Sequence, residues 1–267
     1  MKLEQLRKKI DVVDRQILKL LNTRAKLVLQ IGKYKKLSGS KEIFIPHREK
    51  TVLRNILKLN PGPLSKELTE SIFREIISAC RTIQKRLKIV YFGDKHSDTH
   101  SAGLKLFGEF TDYIPVHSLS EVFRHVEQGK ADYGVVTSEK TAGESNISAY
   151  NLFINSNLKI CAEIKYTKGR FLVIGKNIAD ITGHDKTSLI FSLKDKAGTL
   201  DDILLVLKHN KVSLTKIESE PSDKSGEYIF FIDFIGHVTD KSVQKIITQI
   251  EKHSSFVKVA GSYPVEE

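Results

Sequence analysis

Cysteine, tryptophan and methionine are scarce in this sequence of 267 residues, which has two cysteines, no tryptophan and one methionine. Cys80 and Cys161 are too few for a disulfide framework and lack metal-ligand spacing, so we expect two reduced thiols and no metal site. No apolar run approaches the length that spans a bilayer, and the first residues, MKLEQLRKK, contain no apolar signal core. These absences argue against a disulfide-bonded secreted domain and a membrane protein, and favour a cytoplasmic location.

Acidic residues are scarce in the first third of the chain. Residues 1–87 hold 21 lysines and arginines against 8 acidic residues, whereas residues 88–267 hold 22 against 24. The net charge of +11 therefore comes from the N-terminal third, which predicts an anionic partner: nucleic acid, an anionic membrane or an acidic small molecule. Nucleic acid is disfavoured because this segment has only Tyr34, Phe44 and Phe73 for base stacking.

Glycine and proline are absent before Gly32, so one helix can run through residues 3–36. Its apolar positions recur every three or four residues, as in a helix packed lengthwise against others. They are Leu3, Leu6, Ile10, Val13, Ile17, Leu20, Leu27 and Ile31. Arg24 interrupts this seam, and a buried guanidinium requires an anion, although an arginine snorkelling from a coiled-coil edge stays open. Lys35 follows roughly 16 Å further along nearly the same face, so both side chains can reach one small ligand.

Arg7 is too far away to join them, since it lies roughly 25 Å before Arg24 along the helix axis. If Arg7 serves a site of the same kind, that site belongs to another copy of the chain. A helix of about 50 Å with no partner of its own length also predicts an intertwined homodimer.

Two further helices add polar residues to this N-terminal segment. The second helix begins near Pro46, and Arg48 and Glu49 are predicted to point inward at its start. After an NPGP turn, the third helix carries Cys80 and Gln84 on its apolar stripe. Either residue alone is an ordinary helix residue, but together with the cations they predict a polar site inside a helical bundle.

Residues 1–87 resemble the all-helical chorismate mutase domain, and the layout of the whole chain resembles the bifunctional chorismate mutase/prephenate dehydratase family of phenylalanine biosynthesis. The segments LRKKIDVVDRQILKLLNTRAKLVLQIGKYK, HREKTVL and IFREIISACRTIQ carry the resemblance. It implies that Arg24, Lys35 and Arg48 bind the carboxylates and the ether oxygen of chorismate. The rearrangement to prephenate is unimolecular, so no nucleophile, metal or cofactor is expected.

The resemblance also implies roles for the remaining polar residues. Arg7 would enter from the partner subunit, and Gln84 would donate a hydrogen bond to the ether oxygen. Glu49 would hold the ring hydroxyl, and Cys80 would line the site. Ile45 stands where the family often has aspartate, and Cys80 where some members have serine; both departures predict altered substrate affinity more than loss of the reaction.

Residues 88–176 alternate short β segments with helices, which predicts a partial α/β lobe with a mixed sheet. They resemble the first lobe of prephenate dehydratase, above all in ADYGVV and in Glu139 to Gly143. After LKICAEI the chain passes almost directly to YTKGRFLVIGK, whereas the family continues through a second lobe that closes the active cleft. The family's catalytic threonine aligns with Gly169, and Thr167 is two residues away. The resemblance therefore predicts a degenerate lobe without dehydratase activity, with a functioning bifunctional enzyme as the alternative.

Residues 177–186 are predicted to be a polar linker, and residues 187–267 show a β-α-β-β-α-β order that resembles an ACT domain, an amino-acid sensor. In that family two short motifs frame the phenylalanine site. By position they are Gly198, Thr199, Leu200, Glu218 and Ser219. Glu220 replaces the usual arginine of the second motif, so a structural dimerisation sheet and a working sensor both stay open.

The sequence therefore predicts a multidomain α + α/β protein with an intertwined helical domain, a partial dehydratase-like lobe and an ACT domain. The predicted activity is that of a chorismate mutase acting on chorismate and producing prephenate. The predicted partners are these small molecules, phenylalanine as an effector and a second copy of the chain, without nucleic acid or membrane. A non-catalytic regulatory protein that contains an ACT domain is a further hypothesis.

Overall fold

The computed structural model describes residues 3–37, 44–138, 149–167, 169–222 and 226–266. These residues group into two compact units, Met1–Leu87 with Phe107–Asp112, and Lys88–Leu106 with Tyr113–Glu267. In chain order the elements are α1 (Leu3–Leu37), α2 (Pro46–Leu59), α3 (Lys66–Gln84), β1 (Lys88–Phe92), α4 (Asp98–Phe107), β2 (Asp112–Val116), α5 (Leu119–Glu127), β3 (Tyr133–Thr137), α6 (Ala149–Asn155), β4 (Lys159–Tyr166), β5 (Gly169–Gly175), β6 (Asp185–Lys194), α7 (Thr199–His209), β7 (Leu214–Pro221), β8 (Glu227–Ile235), α8 (Lys241–Glu251) and β9 (Val257–Pro264).

The first unit is helical, as the sequence predicts. Pro46 occupies the first turn of α2, where its missing N–H costs no hydrogen bond. Ser65 caps α3 by accepting a hydrogen bond from the Leu68 amide at 3.2 Å. α3 packs against both α1 and α2, so it forms the centre of this unit.

The apolar seam of α1 is exposed within the single chain: Leu3 is 64% exposed, Ile10 59% and Leu20 69%. The prediction of lengthwise packing is therefore not met inside one chain. The reason is length, because the 35 residues of α1 extend about 52 Å, whereas the 19 residues of α3 extend only about 28 Å. A large part of the seam is therefore left uncovered within the single chain.

Phe107–Asp112 belongs to the helical unit although it follows α4 in the sequence. Ser78 Oγ donates to the Phe107 carbonyl at 2.7 Å, and the centroids of the Phe44 and Phe107 rings lie 4.7 Å apart. The predicted domain boundary at Leu87 leaves this segment out. A segment of six residues is too short to show a periodic pattern, so its return to the helical unit could not be predicted from the sequence.

The second unit is built on one nine-stranded mixed sheet, in the order β2-β1-β3-β5-β4-β9-β6-β8-β7. The final six elements have the predicted β-α-β-β-α-β order. β4 and β9 pair in parallel at Ile160 and Gly261. A side chain at position 261 would overlap the Ile160 carbonyl, so the close approach of these strands requires glycine. The lobe and the final segment therefore share one sheet, which the predicted division at 177–186 does not anticipate.

β6 begins at Asp185, so the last two residues of the predicted linker are in the sheet. Asp185 Oδ2 accepts hydrogen bonds from the Thr182 and Gly183 amides at 2.8 and 3.0 Å. Lys186 forms an ion pair with Glu163. Both charged residues are buried because each has a partner, which a polarity pattern does not reveal.

Both faces of this final segment are covered. On one face Leu189 and Phe191 pack with residues of α7 and α8, and on the other face Ile190 and Phe231 pack with Phe153 of α6. Neighbouring residues of β6 point to opposite faces, which explains why this strand is buried along nearly its whole length. Among the residues that the structure describes, no helix has the length and apolar character needed to cross a membrane.

Candidate functional site

Two cations, Arg24 and Lys35, lie on one face of α1, and the backbone between them is contacted by a side chain of α3. Arg24, Val28, Gly32 and Lys35 are separated by four, four and three residues, which places them on the same side of the helix. Gln84 of α3 crosses this face, since its Nε2 donates to the Val28 carbonyl at 2.6 Å. A Cβ at position 32 would lie 3.3 Å from the Gln84 side chain, so the absent side chain of Gly32 makes room for the amide. Gln84 therefore lies between the two cations along the helix.

Arg24 has an unused hydrogen-bond donor. The residue is half-buried, and its Nη1 atom is buried without a hydrogen-bond partner among the described residues. A buried donor without an acceptor costs about 1–3 kcal/mol. An anionic ligand would remove that cost, and a carboxylate would fit the planar guanidinium best.

Glu49 of α2 faces the same group of cations. Arg81 Nη1 lies 2.7 and 2.8 Å from the two oxygens of the Glu49 carboxylate. Burial raises the pKa of Glu49 above its ordinary value of 4.5, while Arg81, Arg24 and Lys35 oppose the rise. Glu49 is therefore the acidic residue around which the cations of α1 and α3 are grouped.

Three of the predicted site residues are not brought into this group. Arg48 is exposed, contrary to the prediction, because successive helix residues point about 100° apart and Glu49 is the one that faces the site. Arg7 is exposed on α1, far along the helix from Arg24. Cys80 is buried and lines an apolar cavity of about 350 Å³, which no basic residue lines. Ile45 precedes α2 and makes no side-chain capping bond.

Arg81 is a residue of this site that the sequence reasoning missed. It is 6% exposed, and its Nη2 donates to the Phe107 carbonyl. Its guanidinium carbon lies 5.3 Å from the centroid of the Phe44 ring and 5.8 Å from that of Phe107. The available signal was its position three residues before Gln84, which places both on the same side of α3.

The residues that the resemblance aligns with a dehydratase site lie in a tight hairpin. Tyr166 pairs with Gly169, so two residues separate β4 from β5. Gly169 has no hydroxyl group, and Thr167, with φ of 52°, donates its hydroxyl to the adjacent Tyr166 carbonyl at 2.6 Å. Glu139 to Gly143 lie outside the described residues.

Arg170, directly after Gly169, lies in a buried ionic network. Its Nη2 is 3.0 Å from Glu163 Oε2 and 2.5 Å from Asp233 Oδ2, and Lys186 also pairs with Glu163. Burial raises the pKa of Glu163, but Arg170 and Lys186 lower it further, so that it falls below 4.5. Two cations and two carboxylates therefore compensate one another within the sheet.

The five predicted effector residues lie in two segments of the final sheet. Gly198, with φ of 89°, caps α7, whose first residues are Thr199 and Leu200. Glu218 and Ser219 are exposed on β7, the edge strand. The pairing of β6 with β8 and of β8 with β7 brings the end of β7 to the end of the sheet where α7 begins.

Three family models match the chain: chorismate mutase type II over residues 6–85, prephenate dehydratase over residues 89–189, and the ACT domain over residues 187–252. This order defines an enzyme class of aromatic amino acid biosynthesis. A bifunctional chorismate mutase/prephenate dehydratase of Aquifex aeolicus (strain VF5) is 32% identical, over 98% of this chain and 98% of its own length. The chain belongs to the bifunctional chorismate mutase/prephenate dehydratase family.

Solved prephenate dehydratases share the fold of the second unit. The X-ray structure of the enzyme from Streptococcus mutans covers 68% of this chain and 100% of its own, at 28% identity and a TM-score of 0.58. An enzyme from Arthrobacter aurescens, solved in complex with L-Phe, covers 67% of this chain and 90% of its own, at 17% identity and a TM-score of 0.59. The second of these shows the likeness of fold alone.

The chain is shorter than the relative from Aquifex aeolicus. Their alignment spans 354 positions, yet it covers 98% of a chain of 267 residues, so about 90 aligned positions have no residue here. The relative is nevertheless named for both activities, and the dehydratase family model matches. The comparisons therefore favour the bifunctional alternative, and the predicted loss of dehydratase activity is not confirmed.

Proposed function

We propose that this protein catalyses the rearrangement of chorismate to prephenate. The observation that carries the proposal is the buried, unpartnered Nη1 of Arg24, on the helix face that also presents Lys35 and is crossed by Gln84. The reaction needs a folded dianion held in its reactive conformation, and this cationic face supplies charge and shape without a nucleophile.

The residue types suit the changes in charge along the reaction. Arg24 binds a carboxylate of the substrate, and its unpartnered Nη1 donates one of the two parallel hydrogen bonds that a guanidinium forms with a carboxylate. Lys35 and Gln84 meet the negative charge that develops on the ether oxygen as the bond breaks. Glu49 accepts a hydrogen bond from the ring hydroxyl. Arg48, exposed in the free chain, closes over the bound substrate by a change of rotamer.

A second copy of the chain completes the site. An antiparallel pair of α1 helices that brings Arg7 of the partner subunit to Arg24 also sets the partner's residues 6–13 opposite residues 18–25. Leu18, Leu21, Asn22 and Ala25 of this stretch line the apolar cavity of about 350 Å³ between α1 and α3. The exposed seam of α1 and this cavity together support an intertwined dimer, and Arg7 supplies a further cation for the substrate.

Dehydration of prephenate is a second candidate function, and the names of the relatives favour it. Two features of this chain oppose it: Gly169 has no hydroxyl group, and β4 turns directly into β5. We infer that the roughly 90 missing positions fall at this hairpin, where the family's second lobe is expected. Under this hypothesis the lobe serves as a structural layer of the sheet.

Phenylalanine is the predicted effector at the start of α7 and the end of β7. The match of the ACT family model supports a ligand there, whereas Glu220, in place of the usual arginine, opposes tight binding. Cytoplasmic location also stays a prediction, consistent with two buried cysteines that form no disulfide. A non-catalytic regulatory protein is the remaining alternative.

Two assays on the purified chain test these proposals. Chorismate depletion, measured with and without phenylalanine, tests the mutase and its effector, and formation of phenylpyruvate from prephenate tests the dehydratase. Arg24→Ala should reduce kcat/KM for chorismate by several orders of magnitude, whereas Lys26→Ala, exposed on the same helix, should not. An unaffected Arg24→Ala protein would support the regulatory alternative, and measurable phenylpyruvate would establish the bifunctional one.

A further inference from the structure

We propose that Arg81 is a positioning residue of the mutase site, which holds the Glu49 carboxylate for the substrate hydroxyl and away from Arg24 and Lys35. This inference rests on the proposed mutase function and adds a role for a residue that the resemblance does not assign. Arg81 does not bind the substrate itself, since both ends of its guanidinium already have acceptors within the fold.

The geometry around Arg81 fixes its position. Its side chain is 5% exposed, against 19% for Glu49, and it donates to both Glu49 oxygens through Nη1. Its Nη2 donates to the Phe107 carbonyl, and the rings of Phe44 and Phe107 lie within 6 Å of the guanidinium. Hydrogen bonds and aromatic contacts therefore hold this side chain in one orientation.

The position of Glu49 creates a problem that Arg81 solves. Arg24 and Lys35 are close enough to influence the Glu49 carboxyl electrostatically. A carboxylate that moved onto these cations would occupy the donors that a dianionic substrate needs. Arg24 Nη1 nevertheless has no partner among the described residues, although the charge of Arg24 acts on this carboxyl. The contact of Arg81 Nη1 with both Glu49 oxygens accounts for both facts, because it leaves the carboxylate on Arg81.

Stability alone does not require the pair. A buried ion pair adds little net stability compared with two well-packed apolar side chains, because both charges must leave water. The pair does determine where a negative charge lies in a pocket for a dianion. Its removal should therefore affect substrate binding, and only while position 49 carries a carboxylate.

A double-mutant cycle on the full chain tests this. Arg81→Met should raise KM for chorismate about tenfold or more with a smaller effect on kcat, because the released Glu49 competes for the clamp. In a Glu49→Gln background the same substitution should change KM by less than about threefold. Arg81→Lys, which keeps the charge, should restore part of the affinity. Thr82→Val is the matched control, because Thr82, the next residue of α3, also donates to a backbone carbonyl, that of Phe110, at 2.5 Å. The kinetic constants of this variant should equal those of the native protein.

Equal losses in the two backgrounds would overturn the inference and leave Arg81 a purely structural residue. If Arg81→Met fails to fold, Arg81→Lys is used in its place. Arg81→Lys should then raise KM for chorismate in the native background, and this increase must disappear in the Glu49→Gln background. A crystal structure of the Arg81 variant gives a readout without activity: Glu49 should lie on Arg24 or Lys35, and an unmoved Glu49 would contradict us. An inactive native protein with a displaced Glu49 in the variant would refute the mutase function alone.

Discussion

Replacing Arg24 with methionine should make the protein more stable and nearly inactive. Arg24 Nη1 is buried without a partner among the described residues, which costs about 1–3 kcal/mol. Methionine is flexible, carries no charge and suits an apolar seam. Because Arg24 is only half-buried, we expect a gain of about 1 kcal/mol in the free energy of unfolding. That gain corresponds to a rise of about 2–4 °C in Tm for a chain of this size.

The same substitution removes the proposed clamp on a substrate carboxylate. Two parallel charge-assisted hydrogen bonds, each contributing about 1.5–3 kcal/mol, correspond to a loss of about 10²- to 10⁴-fold in kcat/KM. Thermal unfolding at a fixed protein concentration and chorismate depletion measure the two effects on one sample. Lys26→Met, on the exposed side of α1, should leave both quantities nearly unchanged.

The opposite signs of the two effects make the prediction strict. A variant that loses both stability and activity would indicate that Arg24 is already paired in the free protein. A variant that keeps its activity would mean that substrate binds elsewhere. Either result would refute the assignment of the unpartnered guanidinium to substrate binding.

Three further predictions concern other parts of the molecule. Ile10→Lys, on the exposed seam of α1, should dissociate the proposed dimer in analytical ultracentrifugation and abolish mutase activity, whereas Val12→Lys, off the seam, should do neither. Gln84→Glu should confine mutase activity to acidic pH, because a carboxyl must be protonated to donate a hydrogen bond; full activity at pH 8 would contradict this. Glu163→Gln should lower the free energy of unfolding by about 3 kcal/mol at pH 7, because it leaves a buried cation unpaired. The folded-state pKa of Glu163 is depressed, so the stability that Glu163 contributes is present above pH 4.5 and is lost as the pH falls through the folded-state pKa. Denaturant unfolding at pH 7 and pH 4 should therefore show a smaller difference in free energy of unfolding between the native protein and the variant at pH 4. A constant difference would contradict the pairing.

Much of the fold follows from local patterns in the sequence. The spacing of apolar residues predicts α1, α2 and α3, and the alternation of short strands with helices predicts the order of the final six elements. These features depend on residues close together in the chain. The single sheet does not, since it requires Gly261 to approach Ile160, a hundred residues away.

The candidate site was predictable only in part, for a similar reason. Arg24, Lys35 and Gln84 stand out because polar residues interrupt or flank an apolar seam. Arg81 does not stand out, since a charged residue on a helix usually faces solvent and its partners are Glu49 and a carbonyl far along the sequence. Whether Arg48 or Glu49 faces inward depends on the rotation of α2 about its axis, which a local pattern does not determine.

Phe107–Asp112 has a practical consequence for anyone who wishes to divide this enzyme. A gene truncated after Leu87 would encode a mutase without the backbone oxygen that Arg81 contacts and without the aromatic cover over Phe44. The family is named for two activities, which suggests two domains joined end to end, but in this chain the later segment Phe107–Asp112 belongs to the first unit. The mutase domain therefore cannot be isolated by truncation after Leu87, and a working fragment must also include Phe107–Asp112.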